Sequence, residues 1–162
     1  MPKRWKPNAT VAAVIERDGR FLLVEERTTE GLRLNNPAGH LDPGESLVDA
    51  CRREVLEETA HHFEPTHLVG VYLTRMEHPP KGEQQVTSTT YLRFTFCGVL
   101  GAAEPGRGLD HGILRTVWLS PEELRASAAS HRSPALQRSV DDYLGGARHP
   151  LSLLHTDLGD PA

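Results

Sequence analysis

Between Leu47 and Ala60 the chain runs without a proline or glycine, and within that run Glu54, Glu57 and Glu58 stand three and four residues apart. Leu47, Cys51 and Val55 recur every four residues with Val48 beside them, so the segment predicts an amphipathic helix with one stripe against a core. At 3.6 residues per turn, the three carboxylates then project from one face. Like charges at these separations disfavour an isolated helix by roughly 0.2–0.5 kcal/mol per pair. The arrangement becomes favourable only with a counter-cation. Hard carboxylate oxygens suit Mg²⁺, with Mn²⁺ as a possible substitute, and such an ion keeps coordination positions open for water or phosphate oxygens.

The local context supports both the helix and the site. Ser46 can cap the first turn with Asp49 three residues on. Arg53 lies four residues before Glu57, a spacing at which its guanidinium can hold and orient that carboxylate. Just upstream, Gly39-His40-Leu41-Asp42-Pro43-Gly44-Glu45 is too densely punctuated for regular structure and adds another acid.

Around this centre the sequence reads as alternating β and α segments. Residues 9–16 and 20–27 are apolar, β-branched-rich runs separated by Asp18-Gly19, a hairpin signal. Residues 28–36 read as a loop. Residues 67–76 and 87–100 predict two longer strands joined by the turn-rich EHPPKGEQQ, and LRTVWL predicts another. Ser120-Pro121-Glu122-Glu123 and Ser133-Pro134 open two further helices, the second closed by Gly145-Gly146. No repeat or linker divides the chain, which predicts a single domain over residues 1–154 and a mobile tail over 155–162.

Composition excludes several classes. The 162 residues are 38% hydrophobic and 25% charged with a formal net charge of -4, an ordinary globular balance that offers no broad attraction to nucleic acid or anionic membranes. A phosphorylated ligand therefore needs a metal or a local Lys/Arg cluster. No stretch approaches a membrane span and no apolar signal region follows the basic start, so the cytoplasm is the expected location. Cys51 and Cys97 sit in apolar patterns without metal-ligand spacing and read as core thiols.

Written out, Gly39, five residues, Glu45, seven residues and then Arg53-Glu54-Val55-Leu56-Glu57-Glu58 resembles the Nudix box, GX5EX7REUXEEXGU with U a bulky aliphatic residue. The match departs where Ala60 replaces glycine and His61 replaces the aliphatic residue, which leaves the helix stop in question. The resemblance implies an α/β fold, an α/β/α sandwich with a mixed β-sheet, and hydrolysis of a diphosphate linkage in a small-molecule substrate. It further implies metal binding by Glu54 and Glu58, with Glu57 as a further ligand or water activator, the backbone carbonyl of Ala38 joining them, and Arg53 holding the acids. A later acid, Asp110 or less favourably Glu104, would complete the set.

The stretch NNPAGHLDPGESLVDACRREVLEET, which contains the box, together with YLRFTF and RSPALQRSVDDYLGGARHPL outside it, resembles a phosphatase branch of the family. That resemblance implies release of phosphate from hydroxymethylpyrimidine pyrophosphate, with activity on thiamine pyrophosphate and nucleoside di- and triphosphates. Trp5, Tyr72, Tyr91 and Trp118 could stack on a base, Trp5 foremost. Arg27, Arg33, Arg75 and Lys81 could meet phosphate, Arg27 foremost. Asn36 and His40, on either side of Pro37-Ala38-Gly39, complete the expected substrate contacts. Two rivals remain: a Nudix pyrophosphatase for another nucleoside diphosphate compound, such as ADP-ribose, a sugar nucleotide or a dinucleoside polyphosphate, and a noncatalytic nucleotide-binding Nudix domain. Either a monomer or a homodimer is compatible with the sequence.

Overall fold

The computed structural model describes residues 4–78 and 86–159. Strands β1 (Asn8–Val14), β2 (Glu16–Arg17), β3 (Arg20–Thr28), β4 (Gly31–Asn35) and β5 (Ala38–His40) precede helix α1 (Leu47–Thr59). Then follow β6 (His61–His78), β7 (Thr87–Ala103), β8 (Ile113–Leu119), α2 (Pro121–Ala126), α3 (Pro134–Leu144) and the short β9 (His149–Pro150). One sheet has the order β5-β1-β7-β6-β9 and is mixed, because β1 runs parallel to β7 and antiparallel to β5. The other joins β2, β3 and β4, with β8 on the free side of β3.

Strand alternation explains the layering. Val11, Ala13 and Ile15 of the first strand region pack with Ala50, Cys51 and Val55 of α1. Val14 points the other way, to a second cluster with Leu136 and Val140 of α3 and Leu124 of α2. β3 does the same, Leu22 joining the first cluster and Phe21 and Leu23 the second. Since successive side chains of a strand face opposite sides, helices lie on both faces of the β-layer. The expected α/β sandwich is present, with its strands divided between two sheets. Cys51 and Cys97 are free and buried. Among the described residues no helix is long and apolar enough to cross a membrane.

Local differences from the sequence expectations have physical causes. The first hairpin turns through Asp18 at φ 52° and Gly19 at φ 74°, the paired positive values of a tight β-turn. Residues 31–35, expected as loop, form β4 because their backbone pairs along β3 from Val24 to Thr28. Ser46 caps α1 by accepting from the Asp49 amide, but Asp49 accepts from the Ser46 hydroxyl rather than reaching back to the cap backbone. The helix nevertheless stops at the motif's usual place. Ala60 itself takes the left-handed conformation, φ 58°, and its N–H closes on the Leu56 carbonyl. With the helix ended so abruptly, β6 begins at once and is longer than the sequence predicts. The turn EHPPKGEQQ lies mostly outside the described residues, as do Lys81 and the last residues of the tail.

Candidate active site

Helix α1 delivers its acids to the β5 edge. Glu54 and Glu58 are both buried, unusual for carboxylates, while Glu57 is partly exposed. Arg53 organises them: Nη1 donates to Glu54 Oε1 at 2.7 Å and to Glu57 Oε2 at 3.1 Å. Its Nε and Nη2 donate to the two Glu45 oxygens at 3.0 and 2.7 Å, and Nη2 also donates to the His40 carbonyl at 2.9 Å. A planar fork is suited to this work, and one guanidinium joins the helix to the loop before it. Its hydrogen bonds hold the Glu45 carboxyl below the ordinary carboxylate range. The loop is also closed from within, the Asp42 amide donating to Glu45.

Glu58 is held from the other side, accepting from the Ala38 amide at 2.9 Å. Burial pushes its carboxyl up to about 8, against the lowering effect of that amide and with nearby Glu54, Glu26 and Asp110 adding to the rise. Burial also raises Glu54, although Arg53 opposes it. Asp110 is brought in by its own backbone, its N–H donating to the Glu57 carbonyl at 2.9 Å. Glu104, the other acid considered, pairs with Arg107 and His62 away from the site.

Gly39 makes the close approach possible. A Cβ there would lie 2.1 Å from the Glu54 carboxylate carbon, so the acid nests where any side chain would intrude. Hard oxygens in a cradle of this kind fit a divalent cation. In the structure the Glu54, Glu57 and Glu58 carboxylates are each anchored through one oxygen, to Arg53 or to Ala38. Among the described residues no three acidic, histidine or cysteine groups converge as a ready coordination shell. Each of the three keeps an oxygen that Arg53 and Ala38 leave free.

Beside the acids lies a cavity of about 330 Å³, lined by Ala38, Gly39, His40, Glu54, Glu58 and Asp110 on the near side. Its far wall includes Tyr91, one of the aromatic residues expected to stack on a base, and residues the sequence did not single out as site residues: Thr10, Glu26, Asn35, Arg93 and Arg132. The Ser133-Pro134 turn that follows Arg132 was expected as a helix start. Arg93 donates to Asn35 Oδ1 at 3.3–3.4 Å and is pushed down to about 10 by burial, leaving it cationic at neutral pH.

Three expected substrate residues lie elsewhere. Trp5 stands exposed before β1. Arg27 is exposed on β3, next to cavity-lining Glu26, and Asn36 is buried against Ser139, next to cavity-lining Asn35. In both cases the neighbour faces the site; along β3 strand alternation sets Arg27 and Glu26 on opposite sides. Glu57 and Arg53, although central to the acid network, do not line the cavity. Tyr72 is taken up by Asp142 and Trp118 by Arg17, Arg33 sits beside Glu30, and Arg75 is exposed.

Comparisons with known proteins agree with this geometry. The family model for the NUDIX domain matches residues 5–139. The phosphatase NudJ of Escherichia coli K12 is 36% identical over 150 residues, covering 93% of this chain and 92% of that protein. A NUDIX hydrolase from Nitrosomonas europaea is 49% identical and superposes with a TM-score of 0.84, covering 96% of this chain and all of the other, 100%. A MutT protein from Methanosarcina mazei Go1, 23% identical with a TM-score of 0.66 over 88% of this chain and 98% of its own, shares the fold.

Proposed function

The chain belongs to the NUDIX family and is a hydrolase of pyrophosphate bonds, and from this we propose that it is a Mg²⁺-dependent phosphatase releasing inorganic phosphate from small diphosphate compounds in the cytoplasm. Hydroxymethylpyrimidine pyrophosphate, thiamine pyrophosphate and nucleoside di- and triphosphates are its proposed substrates. The observation that carries this reading is the placement of buried Glu54 and Glu58, with Asp110, along one cavity whose other wall is cationic through Arg93 and Arg132.

Glu54, Glu58, Asp110 and the Ala38 carbonyl, with Glu57, are the groups that would hold Mg²⁺, or Mn²⁺ in its place. When bound, the ion supplies charge neutralisation at the diphosphate and a more acidic water. Arg53 keeps Glu54 and Glu57 oriented. Glu57, on the same helix, is the further ligand or the group that accepts the proton of the attacking water, and His40 lines the cavity. Water adds to the terminal phosphorus as the bridging P–O bond breaks, giving phosphate and the ester shortened by one phosphoryl group, a monophosphate from a diphosphate and a diphosphate from a triphosphate.

The test is a substrate panel of pyrimidine pyrophosphate, thiamine pyrophosphate, nucleoside triphosphates and ADP-ribose, with Mg²⁺ or chelator, on wild type and Glu57→Gln. The expected result is direct phosphate release that chelation abolishes and that the substitution lowers by about 10²-fold or more. Turnover indifferent to both would overturn the mechanism. Cleavage of ADP-ribose into two halves, without phosphate release from the other compounds, would move the assignment to the nucleoside diphosphate pyrophosphatases.

A further inference from the structure

The far wall of the cavity contains an unmet hydrogen-bonding need. Glu26 Oε1 is buried and has no hydrogen-bond partner. Its ion-pair partner is Arg132, whose Nε stands 3.6 Å away, beyond hydrogen-bonding reach. Folded proteins rarely bury a carboxylate oxygen without a donor, because the lost hydration is not replaced. Nor is the position accidental backbone crowding. Glu26 comes from β3 and Asn35 from β4, on the same side of the paired strands, while Arg93 comes from β7 and Arg132 from the turn before α3. The Arg132 amide is tied to the Leu34 carbonyl at 2.8 Å, which fixes that turn against β4.

Glu26 itself lines the cavity with 21% of its side chain exposed, so this wall presents a carboxylate acceptor beside two cationic donors, Arg93 and Arg132. Tyr91 and Met76 line the same cavity and supply flat or adaptable apolar surface. An exocyclic amino group next to a ring nitrogen or carbonyl offers the complementary pattern, a donor beside an acceptor, on a planar body. A carboxylate accepting from such an amino group is an established mode of base reading.

The geometry points to Glu26 as a specificity-determining residue that accepts a hydrogen bond from an exocyclic amino group on a heteroaromatic head group, favouring aminated over keto substrates. This deepens the function proposed above and rests on it. Arg93 and Arg132 donate to the acceptor edge of the same head group, and the diphosphate extends from there toward Glu54 and Glu58.

Cytidine and uridine diphosphates isolate the contact, since their bases differ by an amino group against a carbonyl at one position. Phosphate release from each is measured on wild type and Glu26→Gln, and dissociation constants for each are measured on Glu57→Gln with and without Glu26→Gln. Wild type should favour cytidine diphosphate by about ten-fold or more, the scale of one charge-assisted hydrogen bond. Glu26→Gln, whose amide can donate to the uracil carbonyl, should erase or reverse that preference in both measurements. Equal handling of the two nucleotides by the wild-type side chain, or binding of neither, overturns the inference. So does an equal loss for both in Glu26→Gln; weakened Mn²⁺ binding in that variant would assign Glu26 to the cation instead. A binding preference without phosphate release from any compound would keep the inference and refute the phosphatase reading. Melting temperatures of all variants confirm that the comparison is made between folded proteins.

Discussion

Replacing Glu58 by glutamine turns the burial of one carboxylate into a measurable stability difference. The group is buried on α1, and its carboxyl is raised from 4.5 to about 8. Below pH 4.5 both the folded and the unfolded chain keep this proton. As pH rises toward 8 the unfolded chain releases it while the folded chain retains it, so this group makes folding progressively less favourable. The loss is about 1.4 kcal/mol per pH step, or roughly 3 kcal/mol by pH 7. A glutamine carbonyl can still accept from the Ala38 amide and has no proton to lose. Metal-free Glu58→Gln should therefore match wild type near pH 4.5 and exceed it by roughly 3 kcal/mol at pH 7. For a domain of this size that corresponds to about 6–12 °C in melting temperature. Urea unfolding at several pH values in the presence of chelator gives the two stability curves. Parallel curves between pH 4.5 and 8 would refute the reasoning. Added Mg²⁺ should raise the wild-type melting temperature more than that of the variant, because the same carboxylate is then compensated.

Two further substitutions probe the backbone around the acids. Gly39→Ala places a Cβ 2.1 Å from the Glu54 carboxylate carbon; it should displace that side chain and lower kcat/KM by about 10²-fold, the scale of a misplaced catalytic group, and wild-type kinetics would show that the cradle is not needed. Ala60→Gly relieves the left-handed Ala60 and should stabilise the protein by roughly 0.5–1 kcal/mol after the added unfolded-state freedom is counted, with unaltered activity; denaturant melts showing a loss would mean that the Ala60 methyl makes a compensating contact.

What the sequence made legible was what lies close together along the chain. Arg53, Glu54, Glu57 and Glu58 share one helix, and Gly39 and Glu45 precede it within a short loop, so spacing alone brings them together. The far wall has no such signature: Thr10, Glu26, Asn35, Arg93 and Arg132 come from separate segments and meet only when β1, β3, β4 and β7 assemble. Even where the correct segment was suspected, the side was not. Arg27 was singled out because phosphate invites a cation, and Asn36 lay at the end of residues 28–36, which read as a loop in which parity has no meaning; their neighbours Glu26 and Asn35 carried no signal of their own. Once β4 pairs with β3, parity puts Glu26 and Asn35 on the cavity side of the strands. The Ala60 departure from the motif misled in another way: glycine makes the left-handed turn cheaper, but alanine can be held there by the surrounding fold.

Arg53 carries a consequence for how the enzyme meets its metal supply. Because this permanent cation already joins the His40 carbonyl and Glu45 to Glu54 and Glu57, the junction of loop and helix does not wait for a divalent ion to assemble it. The ion becomes an exchangeable reagent rather than a structural rivet. Depletion should silence the protein while leaving it folded, and resupply should restore turnover as fast as the ion binds and sheds its water, with no refolding step in between.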